Sequence, residues 1–326
     1  MKKICVTGAN GFIGKSVCEV SSKSNKSVRA VTRDLNVCKN SSNIEYRIIS
    51  DINDKTNWKQ VLVDIDCIIH CAGRAHIMNE TKKDELKIYR SVNVDGTKNL
   101  VEQAVKAGVK RIVFLSSVKV NGENTNNKFS DTNLKKAKKN IFTYNDIPDP
   151  KDPYALSKFE AEKVLWEVSL NTGLDITVVR LPLVYGKGVK GNLERLIKLV
   201  KSQIPLPLGL VKNQRSMIGI DNLVDLLIRC TNHPDAAGKT FLVSDDEDIS
   251  TPDFVRYIAT SMGLKALLFP VPIFLIKILG FIFGKKNEIN RLIGSLRVDI
   301  TYTKQILNWT PPVSAAEGIK QMVKDK

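Results

Sequence analysis

The chain has 326 residues, of which 43% are hydrophobic, and this combination suits a folded protein with one large α/β domain and a smaller second one. Its 50 lysines and arginines against 34 acidic residues give a formal net charge of +16, which attracts phosphate-bearing ligands and other polyanions. The lysines are scattered and no nucleic-acid-binding module is recognisable, so we expect a solvated basic surface and no nucleic-acid partner.

Apolar runs alternate with helical patterns along the first 182 residues. Strands are predicted near 3–6, 28–32, 44–49, 66–71, 110–116 and 175–181, and helices near 12–21, 54–64, 84–107 and 154–171. This alternation predicts an α/β fold with a doubly wound parallel sheet of the Rossmann type.

Three segments need separate interpretation. A helix is predicted near 191–202, before a proline-rich stretch. The polar stretch 121–153 is interpreted either as a mobile loop at the mouth of a site or as a surface insertion without function. Residues 264–284 are largely apolar, but 271–283 is shorter than the ~20 residues that span a bilayer. We expect a buried helix there and no transmembrane segment, with peripheral membrane contact as the alternative.

The chain starts with Met1 and goes straight into the first apolar run, which leaves no room for a signal peptide, so we expect a cytoplasmic protein. Its six cysteines show no metal-ligand spacing. We therefore expect free, mostly buried thiols and no metal site.

A glycine-rich turn follows the first predicted strand. Gly8, Gly11 and Gly14 have the spacing G-x-x-G-x-x-G and stand where this strand meets the first predicted helix. Because glycine has no Cβ, the backbone can bend sharply and approach a pyrophosphate, while N–H groups at the helix start face the phosphates. The turn predicts a dinucleotide site, with a tight turn that binds nothing as the alternative.

Tyr154 and Lys158 are four residues apart, so on a helix they lie on one face and can act on one substrate. A phenol ionises at about pH 10, and a close ammonium favours the phenolate, so we expect Lys158 to lower the pKa of Tyr154. Ser116 and Ser117 end the fifth predicted strand and would bring hydroxyl groups to the same edge of the sheet.

Taken together, these motifs resemble those of the extended short-chain dehydrogenase/reductases, a family that includes UDP-galactose 4-epimerase and nucleotide-sugar dehydratases and reductases. The resemblance runs nearly end to end, in the family's order, through residues 7–14, 50–52, 70–73, 93–97, 116–117, the Tyr154/Lys158 pair and 180–186.

The resemblance implies roles for individual residues. Catalysis is assigned to Ser117, Tyr154 and Lys158, with Ser116 as a possible substitute for Ser117. Substrate contacts are implied for Asn192 and Arg215, with Arg297 as a weaker candidate. Cofactor contacts are implied for Gly8, Asn10, Gly11, Phe12, Ile13, Gly14, Thr32, Arg33, Asp51, Ile52, Ala72 and Lys158.

The resemblance also implies a domain division and an assembly. Residues 1–182 and 216–248 would form the NAD(P)-binding Rossmann domain, with 218–223 and 239–243 returning to its sheet. Residues 183–215 and 249–326 would form a smaller, discontinuous, C-terminal nucleotide-sugar substrate domain. A homodimer is expected through the helices near 84–107 and 154–171.

The end of the second predicted strand bears on the choice of cofactor. An acidic residue there accepts hydrogen bonds from the ribose of NAD, whereas a nearby arginine accommodates the 2′-phosphate of NADP. Thr32 stands at the tip and Arg33 follows, which favours NADP(H). Asp34 keeps NAD(H) open, since a shift of one residue would bring its carboxylate to the ribose.

An NADPH site favours net reduction over epimerisation, because a reductase exchanges its cofactor at every turnover. Residues 74–78, 115–123, 205–209 and 294–299 further resemble a bacterial O-antigen subgroup. We therefore predict 4-keto reduction of UDP-2-acetamido-4-keto-2,6-dideoxyhexose to UDP-N-acetylquinovosamine. A UDP-glucose or UDP-N-acetylglucosamine 4-epimerase is the alternative, and a non-catalytic NADP-sensing regulator is a remote one.

His76 is interpreted either as a sugar-positioning residue or as a packed structural histidine.

Overall fold

A computed structural model describes residues 3–24, 26–34, 43–75, 82–126 and 140–324. His76 and much of the polar stretch 121–153 lie outside these residues. The described strands are β1 (Ile4–Thr7), β2 (Val28–Thr32), β3 (Ile44–Ile48), β4 (Cys67–His70), β5 (Arg111–Ser117), β6 (Asp175–Leu181), β7 (Leu183–Tyr185), β8 (Arg215–Gly219), β9 (Lys239–Leu242) and β10 (Asp248–Ile249). The described α-helices are α1 (Phe12–Lys23), α2 (Lys82–Arg90), α3 (Gly96–Lys106), α4 (Pro153–Thr172), α5 (Asn192–Lys201), α6 (Ile220–Cys230), α7 (Thr251–Ser261), α8 (Ile273–Ile282), α9 (Lys286–Ile293), α10 (Thr301–Leu307) and α11 (Ala315–Val323).

The larger sheet has seven parallel strands in the order β3-β2-β1-β4-β5-β6-β9. The order reverses between β1 and β4, which makes this a doubly wound sheet and confirms the predicted fold class. Ligands of such sheets bind beyond the carboxyl ends of the strands at the point of reversal. The glycine-rich turn after β1 lies at that point.

Apolar side chains fill both faces of this sheet. One cluster contains residues of β1 together with α6, and the other contains residues of β5 together with α3 and α4. Four of the predicted thiols, those of Cys5, Cys18, Cys67 and Cys230, are buried, and all the described cysteines are free. Each face is therefore covered by helices, as parallel sheets require.

Two of the predicted helices differ from the structure. The helix predicted at 54–64 is wrong, because these residues form turns around the buried Trp58. Thr56 Oγ1 donates to the Asp51 carbonyl at 2.8 Å and accepts from Asn53 N at 3.0 Å, so side-chain bonds replace helical ones. The helix predicted at 84–107 is divided into α2 and α3 by a five-residue π-helical segment, Ser91–Asp95.

The expected return of residues 218–223 to the main sheet is also wrong. Strand β8 instead pairs with β7 and β10 in a separate three-stranded sheet, whereas β9 joins the main sheet as expected. Asp245 stabilises this arrangement, since its carboxylate accepts hydrogen bonds from Tyr185 Oη at 2.6 Å, Gly219 N at 2.9 Å and Asn222 Nδ2 at 2.7 Å. One carboxylate therefore connects β7, β8 and the start of α6.

The buried helix predicted within 264–284 is wrong as well. In α8 only Ile276 and Gly280 are buried, and most of the other apolar side chains are exposed. Among the described residues, none of the helices combines the length and the apolar character needed to cross a membrane.

A buried ion pair connects α4 to the sheet. Glu162 Oε2 accepts from Arg180 Nη2 at 2.6 Å, and its Oε1 accepts from Ser116 Oγ at 2.5 Å. Arg180 Nη1 also donates to Asn121 Oδ1 at 3.1 Å. Glu162 and Arg180 are both nearly inaccessible to water, so neither charge can be solvated if its partner is removed.

We expect Glu162→Gln to lower the free energy of unfolding by about 3 kcal/mol, because the variant leaves the Arg180 guanidinium buried without its counter-ion. Denaturant unfolding measures the change. The control is Glu194→Gln, which breaks the exposed Lys198–Glu194 pair and should cost about 0.5 kcal/mol or less. Equal losses in the two variants would show that water reaches Arg180.

Candidate active site

The glycine turn after β1 has the backbone geometry of a close-approach site. Gly8 has a φ of +67°, and a Cβ there would lie 2.9 Å from the Ala72 backbone. A Cβ at Gly14 would overlap the Gly8 carbonyl. These two glycines are therefore needed for the turn itself to fold, whatever it binds.

Gly11 differs from the other two. It is the exposed N-cap of α1 and has an ordinary extended conformation, with φ −73° and ψ 165°. A Cβ there would meet only the Gly8 carbonyl, at 3.1 Å. The free N–H groups of the first turn of α1, starting at Phe12 and Ile13, suit an anionic ligand at this end of the helix. The space next to Gly11 is thus available to a pyrophosphate.

We expect Gly11→Val to fold but to bind its dinucleotide at least tenfold more weakly, because the added side chain occupies that space. Isothermal titration or retention of co-purified nucleotide measures the loss, and thermal melting checks the fold. The matched variant is Gly8→Val, which should fail at folding instead. Unchanged affinity in folded Gly11→Val would make the turn purely structural.

The tip of β2 is held by Asn10. Its Nδ2 donates to Thr32 Oγ1 and, at 2.9 Å, to the Asp34 carbonyl. Arg33 points outward, with 71% of its side chain exposed, and its Nη1 lies 3.6 Å from Asp51 Oδ1. The structure therefore brings together four residues predicted to contact the cofactor, and Arg33 shares its charge with a carboxylate.

Ser117, Tyr154 and Lys158 converge at the carboxyl ends of β5 and β6. The Ser117 side chain lies close enough to the Tyr154 phenol to lower its pKa. Lys158 Nζ donates to the Leu115 carbonyl at 2.8 Å and lies 4.5 Å from the centre of the Phe114 ring. Burial lowers the pKa of Lys158 to about 8.

The strand resolves the choice between the two serines. Successive side chains of a strand point to opposite faces, so only one of the pair can face Tyr154. Ser116 Oγ donates to Glu162, whereas Ser117 contacts the phenol. The geometry thus supports Ser117 and leaves Ser116 in a structural role.

The expected lowering of the Tyr154 pKa is not seen. Burial raises the pKa of Tyr154 to about 12, and the nearby Ser117 side chain opposes that rise. Lys158 does not lower it, because its ammonium donates to Leu115. In this arrangement Tyr154 holds its proton at neutral pH.

Buried polar residues that the sequence reasoning missed surround Lys158. His70 Nδ1 bonds Thr7 Oγ1 at 2.6 Å, and its Nε2 bonds Thr97 Oγ1 at 3.1 Å. Burial, aided by the charge of Lys158, lowers the pKa of His70 to about 3, so the ring is neutral. Asn93 Nδ2 donates to Ser157 Oγ at 3.0 Å. The sequence signals that could have pointed to them were the position of His70 at the end of β4 and that of Asn93 and Thr97 in the segment 93–97.

Two of the residues predicted to contact a substrate, Arg215 and Arg297, lie near one another through the β-bridge between Arg215 and Leu296. Arg215 Nη1 donates to the carbonyls of Arg291 at 2.5 Å and Gly294 at 3.1 Å, so its hydrogen bonds leave its charge available to an anion. Arg297 Nε instead donates to Asp248 at 2.6 Å.

Asn192 and Arg291 differ in their relation to these arginines. Asn192 is exposed at the start of α5, on a separate element from the arginines. The Arg291 guanidinium lies 3.6 Å from Asp152, whose Oδ1 accepts from Ala155 N at 2.7 Å as the N-cap of α4. Arg291 therefore connects the arginine group to the helix that carries Tyr154.

The sequence pattern of the NAD dependent epimerase/dehydratase family matches residues 4–244. Similarity to individual proteins extends further. The chain is 39% identical over 322 residues to a UDP-glucose 4-epimerase of Vibrio cholerae, covering 98% of this chain and 94% of that protein. It is 26% identical to an N-acetyl-α-D-glucosaminyl-diphospho-ditrans,octacis-undecaprenol 4-epimerase of Escherichia coli O157:H7, covering 88% and 82% of the two chains.

Solved structures share the fold. A UDP-glucuronic acid 4-epimerase from Bacillus cereus, crystallised with NAD, superposes with a TM-score of 0.77 at 20% identity, covering 99% of this chain and 97% of that one. A UDP-glucose 4-epimerase from Thermotoga maritima, crystallised with UDP-glucose, gives a TM-score of 0.74 at 19% identity, with 99% and 97% covered.

Proposed function

The chain belongs to the NAD-dependent epimerase/dehydratase family, and from this premise we propose that it is a UDP-hexose 4-epimerase, acting on UDP-glucose or UDP-N-acetylglucosamine. The observation that carries the proposal is the 39% identity to the Vibrio cholerae UDP-glucose 4-epimerase over 98% of the chain. It favours epimerisation over the 4-keto reduction predicted from the sequence.

The residues present fit a dinucleotide. Gly11 leaves space at the start of α1, and a Cβ at the exposed Gly73 would lie 3.2 Å from Lys158 Nζ, so the backbone passes closely over the catalytic ammonium. Thr32, Asp51 and Ala72 line the same edge of the sheet. A bound NAD would accept a hydride from carbon 4 of the sugar and return it there.

Tyr154 performs the proton transfer in this proposal. As the phenolate, Tyr154 would take the proton of the 4-hydroxyl while the sugar is oxidised, become the neutral phenol, and return that proton when the 4-keto group is reduced. Ser117 would orient the sugar oxygen by a hydrogen bond. Lys158, charged at neutral pH, would favour the phenolate that is needed before the oxidation step and is formed again after reduction. Burial raises the pKa of Tyr154 to about 12 without ligands, so in this proposal the phenolate forms only once NAD and the sugar are bound.

Arg215 and Asn192 are proposed to hold the UDP diphosphate, with Arg297 contributing more weakly because Asp248 already pairs with it. The hydrogen bonds of Arg215 to carbonyl groups fix its guanidinium without neutralising it. A guanidinium that is fixed in position and still charged can donate two hydrogen bonds to a diphosphate.

The test uses the protein as isolated. We expect heat-denatured protein to release NAD, identified by mass spectrometry, and the native protein to interconvert UDP-glucose with UDP-galactose, or the two UDP-N-acetylhexosamines, without added cofactor. Tyr154→Phe should keep the bound NAD and lose turnover by roughly a hundredfold to ten-thousandfold, since it removes the proton carrier alone. Near-normal turnover in that variant would remove Tyr154 from the mechanism.

A second candidate function, reduction of a UDP-4-keto-sugar by NADPH, is favoured by one observation. Arg33 is exposed beside the tip of β2, where it could pair with a 2′-phosphate. Arg33 already forms an ion pair with the Asp51 carboxylate, so a 2′-phosphate would have to compete with Asp51 for the guanidinium. Reduction would require exchange of the cofactor at every turnover, whereas epimerisation would retain it.

Arg33→Ala distinguishes the two cofactors. If NADPH is used, we expect the variant to raise the Michaelis constant for NADPH about tenfold and barely change that for NADH, with UDP-2-acetamido-4-keto-2,6-dideoxyglucose as substrate. Steady-state kinetics with both cofactors measures this. Equal changes, or a wild type that prefers NADH, would exclude the 2′-phosphate contact and leave the epimerase as the sole proposal.

We further propose that the enzyme acts in the cytoplasm on precursors of O-antigen or other surface polysaccharides, as a homodimer. The E. coli O157:H7 relative, which is named for an undecaprenol-linked sugar, supports the link to surface polysaccharide. The dimer rests on the family resemblance and on the length of α4, which at 20 residues offers a long lateral face.

A further inference from the structure

Helix α8 has an unusual surface. Phe274 is 61% exposed, Phe281 73% and Phe283, just after the helix, 71%. Leu275, Ile278, Leu279 and Ile282 are also exposed. Single exposed apolar residues are normal, but seven within ten consecutive positions form a continuous patch.

The fold explains why these side chains stay outside. Helix α8 packs against the protein by a narrow face, with Ile276 in the core of the smaller domain and Gly280 close to Ile289 of α9. A Cβ at Gly280 would lie 2.6 Å from Ile289 Cγ1, so the two helices are already at closest approach. The rest of α8 therefore has no room to turn inward, and no other described segment covers it.

The charged residues of the segment that carries the patch, 254–287, are all basic. Lys265, Lys277, Lys285 and Lys286 are exposed within or beside it, and the sequence has no Asp or Glu between Asp253 and Glu288. Lysines at the rim of an apolar face extend their ammonium groups toward lipid phosphates while their stems stay apolar. Anionic headgroups would complement this charge.

We propose that α8 and the residues that flank it, 265–286, dock the protein onto an anionic phospholipid membrane. The helix has ten residues and is therefore about 15 Å long, half the hydrocarbon thickness, so it lies in the interface instead of crossing it. The three phenylalanines enter the acyl boundary and the lysines contact the headgroups.

A second copy of the chain fits this surface less well. In a two-fold dimer the same patch meets itself, so the lysines of one copy would face those of the other, with no acidic residue inside the segment 254–287 to pair with them. Such like-charge contacts across an interface are unfavourable.

Vesicle sedimentation tests the proposal with the full-length protein. We expect it to pellet with vesicles of phosphatidylcholine containing about 30% phosphatidylglycerol, to stay in solution with pure phosphatidylcholine, and to be released as salt is raised. Phe281→Asn/Phe283→Asn should weaken binding about tenfold or more, since it removes the two most exposed rings. Ile147→Asn, at an 82% exposed apolar residue outside the patch, should bind as the wild type does.

Two lysine double variants test the electrostatic contribution to membrane binding. Lys285→Glu/Lys286→Glu should weaken binding to the anionic vesicles by roughly twentyfold or more. Lys55→Glu/Lys59→Glu changes the net charge equally at exposed sites elsewhere and should leave binding within about twofold. All four variants change exposed side chains, and circular dichroism and sugar turnover verify that each is folded.

Three results would overturn the proposal. One is no binding to anionic vesicles. Another is equal loss in the two lysine double variants, which would assign binding to the general +16 charge. The third is a wild-type oligomer that Phe281→Asn/Phe283→Asn dissociates in the absence of lipid, which would make the patch a contact between copies of the chain.

Discussion

One face of helix α4 fixes the candidate active site. Tyr154, Lys158 and Glu162 follow one another at intervals of four residues, so they form a single stripe along the helix. Glu162 holds the third turn to Arg180 of β6, and the Lys158 ammonium holds the second turn to the Leu115 carbonyl of β5. The first turn then presents Tyr154 beyond the strand ends, where a substrate can reach it.

This anchoring has an electrostatic consequence. Burial first, and the nearby Lys158 ammonium second, keep His70 neutral, and its two ring nitrogens hydrogen-bond Thr7 and Thr97. Glu162 in turn favours the charged form of Lys158, which limits the effect of burial on the pKa of that lysine. The site therefore keeps the Lys158 ammonium charged near Tyr154, while His70 beside it stays neutral and hydrogen-bonded.

The sequence predicted those features that local pattern controls. Alternating apolar runs predicted the parallel sheet, glycine spacing predicted the turn, and the four-residue interval placed Tyr154 and Lys158 on one face. The sequence did not predict the features that depend on long-range contacts. The turns around Trp58 depend on bonds from Asn99 and Gln103, which are over 40 residues away. Likewise the exposure of α8 depends on the close approach of Gly280 to Ile289, and an apolar run alone resembles a core helix.

Helix α9 joins the two functional surfaces. Near its start, Ile289 packs against Gly280 of α8. At its other end, the carbonyls of Arg291 and Gly294 accept hydrogen bonds from the Arg215 guanidinium. The Arg291 side chain reaches Asp152, the N-cap of the helix that carries Tyr154. Since α9 is only eight residues long, it cannot move at one end without moving at the other. A membrane contact at α8 would therefore orient the same helix that positions the proposed diphosphate site.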